Sequence, residues 1–141
     1  MIVAGRASLY ISSRERRVED IGARLGLTPT GSWEKDDPIR VRDGQMRHRK
    51  NSHWYFTVAN EPGEDGSEGT PWLERLVDIL EPRKEVLNQL NAEYRVHIWW
   101  TAEFEKGRGW TIVIPPALLA RVGALGVEVQ IEADEIDDEA T

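Results

Sequence analysis

Residues Tyr94-Arg-Val-His-Ile-Trp-Trp-Thr-Ala102 alternate without a break: Val96, Ile98 and Trp100 fall on one side, His97, Trp99 and Thr101 on the other. Successive side chains of an extended chain point to opposite faces, so a period of two predicts a strand with one face on a core. The second face is unusual, because it carries an imidazole and an indole. Just upstream the period changes. Leu73, Leu76, Leu80, Leu87 and Leu90 keep one helical phase as far as Asn91. A helix with one apolar stripe feeding a strand with one apolar face predicts helices layered on a sheet. Thr70-Pro71 suits the helix start, where a proline loses no needed N–H. Pro82 lies inside the stripe and crowds the carbonyl of Asp78, which predicts a kink there, or two nearly collinear helices.

The rest of the chain extends this pattern outward. His53 to Ala59 reads as a strand with Trp54, Phe56 and Val58 on one face, and Ala7 to Ser13 as a strand with Leu9 and Ile11 inward. Ser12-Ser-Arg-Glu15 has capping-box spacing, ahead of a helix carrying Val18, Ile21 and Leu25 and stopped by Gly26. Leu27 to Pro38 is turn chemistry around a solitary Trp33, and Ile39 to Arg42 is a short edge strand before the Asp43-Gly44 turn. Glu61 to Gly69 is a flexible loop.

Downstream, Glu105 to Gly109 reads as a hairpin loop and Trp110 to Ile114 as the returning strand. Pro115-Pro116 opens a helix with Leu118, Leu119, Val122 and Leu125, ended by Gly126, and Val127, Val129 and Ile131 form a last strand. The expected fold is α+β: a single mixed or mostly antiparallel sheet with three helices, one long and kinked at Pro82, on one face. Each end of the chain reads as strand, helix of about three turns and glycine. With the match of Ala23-Arg-Leu-Gly26 to Ala120-Arg-Val-Gly123, that suggests duplicated strand-helix halves. Residues 1–133 form one domain, and 134–141 an acidic, disordered tail.

At 141 residues, with 40% hydrophobic and 30% charged side chains, the chain suits one globular domain. It has no cysteine, which excludes disulfides, thiolate metal sites and a thiol nucleophile. No basic-then-apolar leader opens it, and no run approaches the roughly 18 apolar residues of a membrane helix. A cytoplasmic protein with no membrane partner is expected. The net charge of −7 opposes non-specific phosphate-backbone contact, so nucleic acid is the poorest fit as partner. Charge is unevenly spread: Arg40, Arg42, Arg47, Arg49 and Lys50 face only Asp43 between Arg40 and His53, while Glu61–Glu68 and Glu128–Glu139 are acidic blocks.

Several strings resemble a known, mainly bacterial family, the domain of unknown function 4279. They are Leu25-Gly-Leu-Thr-Pro-Thr30, Ser32-Trp-Glu-Lys-Asp-Asp-Pro38, Leu80-Glu-Pro-Arg83 and Leu118-Leu-Ala-Arg121 with its following glycine and strand, so the resemblance spans Ser8 to Ile131. Members often have glycine where this chain has Asp36, and serine where it has Pro115. The resemblance supports the fold and brings no activity, cofactor or partner with it.

No constellation for catalysis is legible. There is no Gly-x-Ser-x-Gly elbow; Glu103 and Glu105, two apart at a strand end, could project to one face as an acid/base pair, and solvated carboxylates beside a turn explain them as well. His48, His53 and His97 lack metal-ligand spacing, so neither metal nor cofactor is expected. Trp54, Trp100 and Trp110 read as core. The candidate binding residues are Trp33, Lys35, Arg40, Arg42, His53, His97 and Trp99, since aromatic surface beside cations binds by stacking and desolvation. The leading expectation is a non-catalytic binding module, in one version an immunity-type protein capturing a basic protein through its acidic blocks. The alternative is a small-molecule pocket, binding or catalytic, near Trp99 and His97.

Overall fold

The computed structural model describes residues 2–59, 70–107, 109 and 111–136. The long strand β1 (Ile2–Ser13) is followed by a short helix α1 (Ile21–Leu25) and three short strands, β2 (Gly31–Trp33), β3 (Pro38–Arg40) and β4 (Met46–His48). Then come β5 (Ser52–Ala59), α2 (Thr70–Leu80), a 3-10 turn at Glu81–Arg83, and α3 (Lys84–Glu93). The chain ends with β6 (Arg95–Glu105), α4 (Pro116–Ala124) and β7 (Glu128–Ile136). Five strands form one mixed sheet in the order β2-β5-β1-β6-β7, antiparallel except for the parallel pair β6 and β7. Strands β3 and β4 form a separate antiparallel ribbon.

The core lies between this sheet and the helices. Leu9 and Ile11 from β1, Trp54 from β5, and Ile98 and Trp100 from β6 are buried there. They meet the leucine stripe Leu73, Leu76, Leu80, Leu87 and Leu90, all buried, so the phase kept across Pro82 does bury one continuous stripe. The indole of Trp72 packs so closely on β1 that a Cβ at Gly5 would stand 2.9 Å from its ring and 2.9 Å from the Thr101 carbonyl. Only a residue without a side chain fits there.

At Pro82 the helix tightens into the 3-10 turn instead of simply bending. The Arg83 guanidinium donates to the Ile79 carbonyl at 2.6 Å and to the Leu25 carbonyl at 2.7 Å, so it pins α1 to the kink. Arg121 of α4 donates to Asp78 at 2.5 Å and Glu81 at 2.6 Å. Those carboxylates raise its already high pKa further. The strings Leu80–Arg83 and Leu118–Arg121 therefore fasten three helices together.

Five expectations are corrected. Residues 111–115 form no strand, because the place beside β6 is taken by β7, which returns in parallel after crossing over through α4. Trp110 lies outside the described residues, as does Glu61–Gly69. Helix α1 has five residues, not three turns, since β1 stays paired through Ser13. Ser13, not Ser12, then accepts from the N–H groups of Glu15 and Arg16, and the Val18 N–H goes to Glu34 Oε1 at 2.7 Å. The two ends, alike in sequence order, thus differ in structure. Finally β7 runs on to Ile136, because β6 offers pairing as far as Glu105; residues 137–141 lie outside the described residues.

Candidate functional site

The face of the sheet turned away from the helices is built by register. Strand β1 pairs on both sides, so Tyr10 stands opposite Tyr55 and opposite His97. One row up, Ser8 stands opposite Thr57 and Trp99; at the other end His53 stands opposite Ser12 and Trp33. Directly opposed side chains share a face and touch, which turns single aromatic residues on four strands into one belt.

Ring geometry follows. Trp33 stacks on His53 at 4.7 Å between centroids and 11° between planes, and the Arg49 guanidinium carbon lies 4.1 Å from the Trp33 ring centroid. Tyr10 stacks on Tyr55 at 5.4 Å and on His97 at 5.5 Å, touches His53 edge-on at 4.9 Å, and meets Trp99 at 5.3 Å. Beside these rings Ser8 and Thr57, and Thr101 one row on opposite Arg6, have short side chains. Large rings around short hydroxyls leave a hollow of about 250 Å³, floored by Ser8, Thr57 and Thr101 and walled by Tyr10, Tyr55, Trp33 and Trp99. Ser8 and Thr57 share a hydrogen bond of 2.8 Å, and the exposed Arg6 stands at the rim. Among the described residues the Arg6 side chain has no hydrogen bond or ion pair.

The face carries little charge of its own. Burial, then the neighbouring His97 and Arg49, push the His53 imidazole down to about 4. Burial and Arg95 lower His97 against the opposing pull of Glu128, and burial raises the Tyr10 phenol. Both imidazoles and the phenol are therefore neutral near pH 7. The atoms His53 Nε2, His97 Nδ1 and Trp99 Nε1 are sealed from solvent and have no hydrogen-bond partner among the described residues. No group of three His, Asp or Glu among the described residues is placed to hold a metal ion.

The corner that carries Trp33 is fixed by the string Ser32–Pro38. Glu34 turns its carboxylate to the Val18 N–H, Asp37 accepts from the Glu34 N–H at 2.8 Å, and the Lys35 N–H donates to Ser52 Oγ at 2.9 Å. Asp36 has φ +73°, the one positive value outside glycine among the described residues, and its N–H binds the Arg49 carbonyl at 2.9 Å. The Arg49 N–H returns to the Asp37 carbonyl at 2.9 Å. This clamp brings Arg49 over the indole.

Of the residues singled out in sequence, Trp33, His53, His97 and Trp99 come together on this face. Lys35 stands exposed in the corner, Arg40 lies exposed on β3 opposite Met46, and Arg42 follows it; none of the three lines the hollow. Sequence reasoning missed Arg6, Ser8, Tyr10, Tyr55 and Thr57. The signal was present as a repeated outward triplet of rings and hydroxyls: Ser8-x-Tyr10-x-Ser12, His53-x-Tyr55-x-Thr57 and His97-x-Trp99-x-Thr101.

Among the described residues no helix is long and apolar enough to cross a membrane. A family model described as a domain of unknown function, DUF4279, matches residues 4–134. No curated protein and no solved structure matches the chain.

Proposed function

Since the chain belongs to the family of the domain of unknown function DUF4279, whose name carries no activity, we propose from the site itself that it is a non-catalytic binding module for a small, flat, unsaturated molecule. The ligand lies in the hollow against Trp33 and Trp99, over the hydroxyls of Ser8 and Thr57. One observation carries the reading: a ring-walled, hydroxyl-floored hollow opens on the one sheet face that the helices leave uncovered. Rings give desolvation and stacking, and a few polar groups give orientation, which is the usual division of labour in ligand sites. The lining offers no base to Ser8, whose hydroxyl is already paired with Thr57, and that favours binding over catalysis.

A volume of about 250 Å³ suits a bicyclic ring more than a larger ligand. Titration with 2-naphthol, followed by calorimetry and thermal melts, tests the reading. Binding to the native state raises the melting temperature, and Trp99→Ala is expected to weaken binding at least tenfold. Absence of binding by the unsubstituted protein, or equal affinity in Trp99→Ala and Trp33→Ala, removes the proposal.

A further inference from the structure

A second cleft, of about 340 Å³, opens between the β3–β4 ribbon and the main sheet, and Trp33 lines it as well. Its character is different. Arg47, Arg49 and Lys50 line it together with His48, His53 and Asn51, and among the described residues no carboxylate does. In a chain of net charge −7 that is a marked local excess of positive charge. Among the described residues none of these three cations makes an ion pair, whereas Arg17, Arg24, Arg95 and Arg121 all do. Arg49 is held in place by the reciprocal backbone bonds to Asp36 and Asp37 and by its seat on the Trp33 ring. His53 is kept neutral by burial and by its neighbours, so it adds no charge but leaves an uncharged stacking partner behind the indole.

We infer that this cleft is an anion subsite for the same ligand, and that the ligand class is a planar ring joined to a phosphate monoester. The inference rests on the reading of the aromatic hollow given above. The ring sits in the hollow, the linkage passes along the edge of Trp33, and the phosphoryl group enters the cleft. Three cations suit a dianion better than a singly charged carboxylate, and guanidinium groups bind phosphate oxygens through paired N–H donors. An aromatic and a cationic subsite sharing one indole select for molecules that carry both groups.

The test compares 2-naphthol, 2-naphthoate, 2-naphthyl phosphate and inorganic phosphate by calorimetry on the full chain. The phosphate ester is expected to bind at least about tenfold more tightly than 2-naphthol, with 2-naphthoate between them. That advantage shrinks at high salt, as screening requires. The exposed pair Arg47→Ala and Lys50→Ala removes the advantage and leaves 2-naphthol affinity unchanged; Trp99→Ala weakens all three naphthyl ligands and leaves inorganic phosphate unchanged. If 2-naphthol binds and the ester binds no better, the anion subsite is overturned while the aromatic hollow stands. If the double variant keeps the advantage, the cations assigned here are not the subsite. If none of the three naphthyl ligands binds, both readings fall together.

Discussion

Gly31→Ala probes the site through a single methyl group. A Cβ at this position would stand 2.5 Å from Tyr55 Oη, 2.6 Å from Cζ and 2.7 Å from Cε1. Carbon atoms in contact sit at roughly 3.5–4.0 Å, so the Tyr55 ring must move by about 1 Å. It cannot move freely, because it is stacked on Tyr10 at 5.4 Å and 14° and meets Trp33 edge-on at 6.3 Å. Giving up part of an aromatic pair costs about 0.5–1.5 kcal/mol and local overpacking about 1–3 kcal/mol. Restricting the unfolded chain returns about 0.4–1 kcal/mol. The net loss is about 1–3 kcal/mol, readable by urea denaturation. A double-mutant cycle with Tyr55→Ala isolates the cause. Once the ring is gone, Gly31→Ala becomes neutral or slightly stabilising, and 2-naphthol affinity falls in the Gly31→Ala single variant. An equal cost in both backgrounds refutes the argument that Gly31 exists to seat Tyr55.

Two further outcomes follow from the same corner and belt. The positive φ of Asp36 is a conformation that costs an ordinary L-residue about 1–2 kcal/mol, so Asp36→Gly should exceed Asp36→Val in stability by about that amount in urea; parity between them contradicts the assigned backbone. Folding holds the His53 imidazole near 4 against an ordinary 6.5, so its contribution to stability is full above pH 6.5 and is lost as pH falls toward 4. With partial exposure allowed for, the loss is about 1–2 kcal/mol. His53→Phe, which keeps a ring under Trp33, should remove that part of the pH dependence, and an unchanged profile in the variant contradicts the burial assigned to His53.

The fold was legible where a local pattern decides it. Alternation at Val96, Ile98 and Trp100 and the leucine stripe across Pro82 each name a buried face without reference to any other part of the chain. The belt was not legible in the same way. Tyr10, Tyr55 and Thr57 read one at a time as outward residues of separate strands, and only the double pairing of β1 brings them together. Residues 111–114 have the composition of a strand, yet which strand takes the edge of β6 is decided by the crossover through α4, a non-local matter. The cations were visible as a cluster, but sequence cannot sort them. The pairing of Ile39 with Arg47 and the clamp on Arg49 bring some to the cleft beside Trp33, while Arg40 and Arg42 line neither hollow.

The most direct measurement is the indole N–H spectrum of the nitrogen-15-labelled chain during titration with 2-naphthol. Trp54, Trp72 and Trp100 are buried on the helix side of the sheet, whereas Trp33 and Trp99 border the hollow. Saturable shifts confined to the signals of Trp33 and Trp99, with those three core indoles unmoved, are the predicted result. Shifts at the core tryptophans with Trp33 and Trp99 silent would place the ligand elsewhere and contradict the open aromatic face as the binding site.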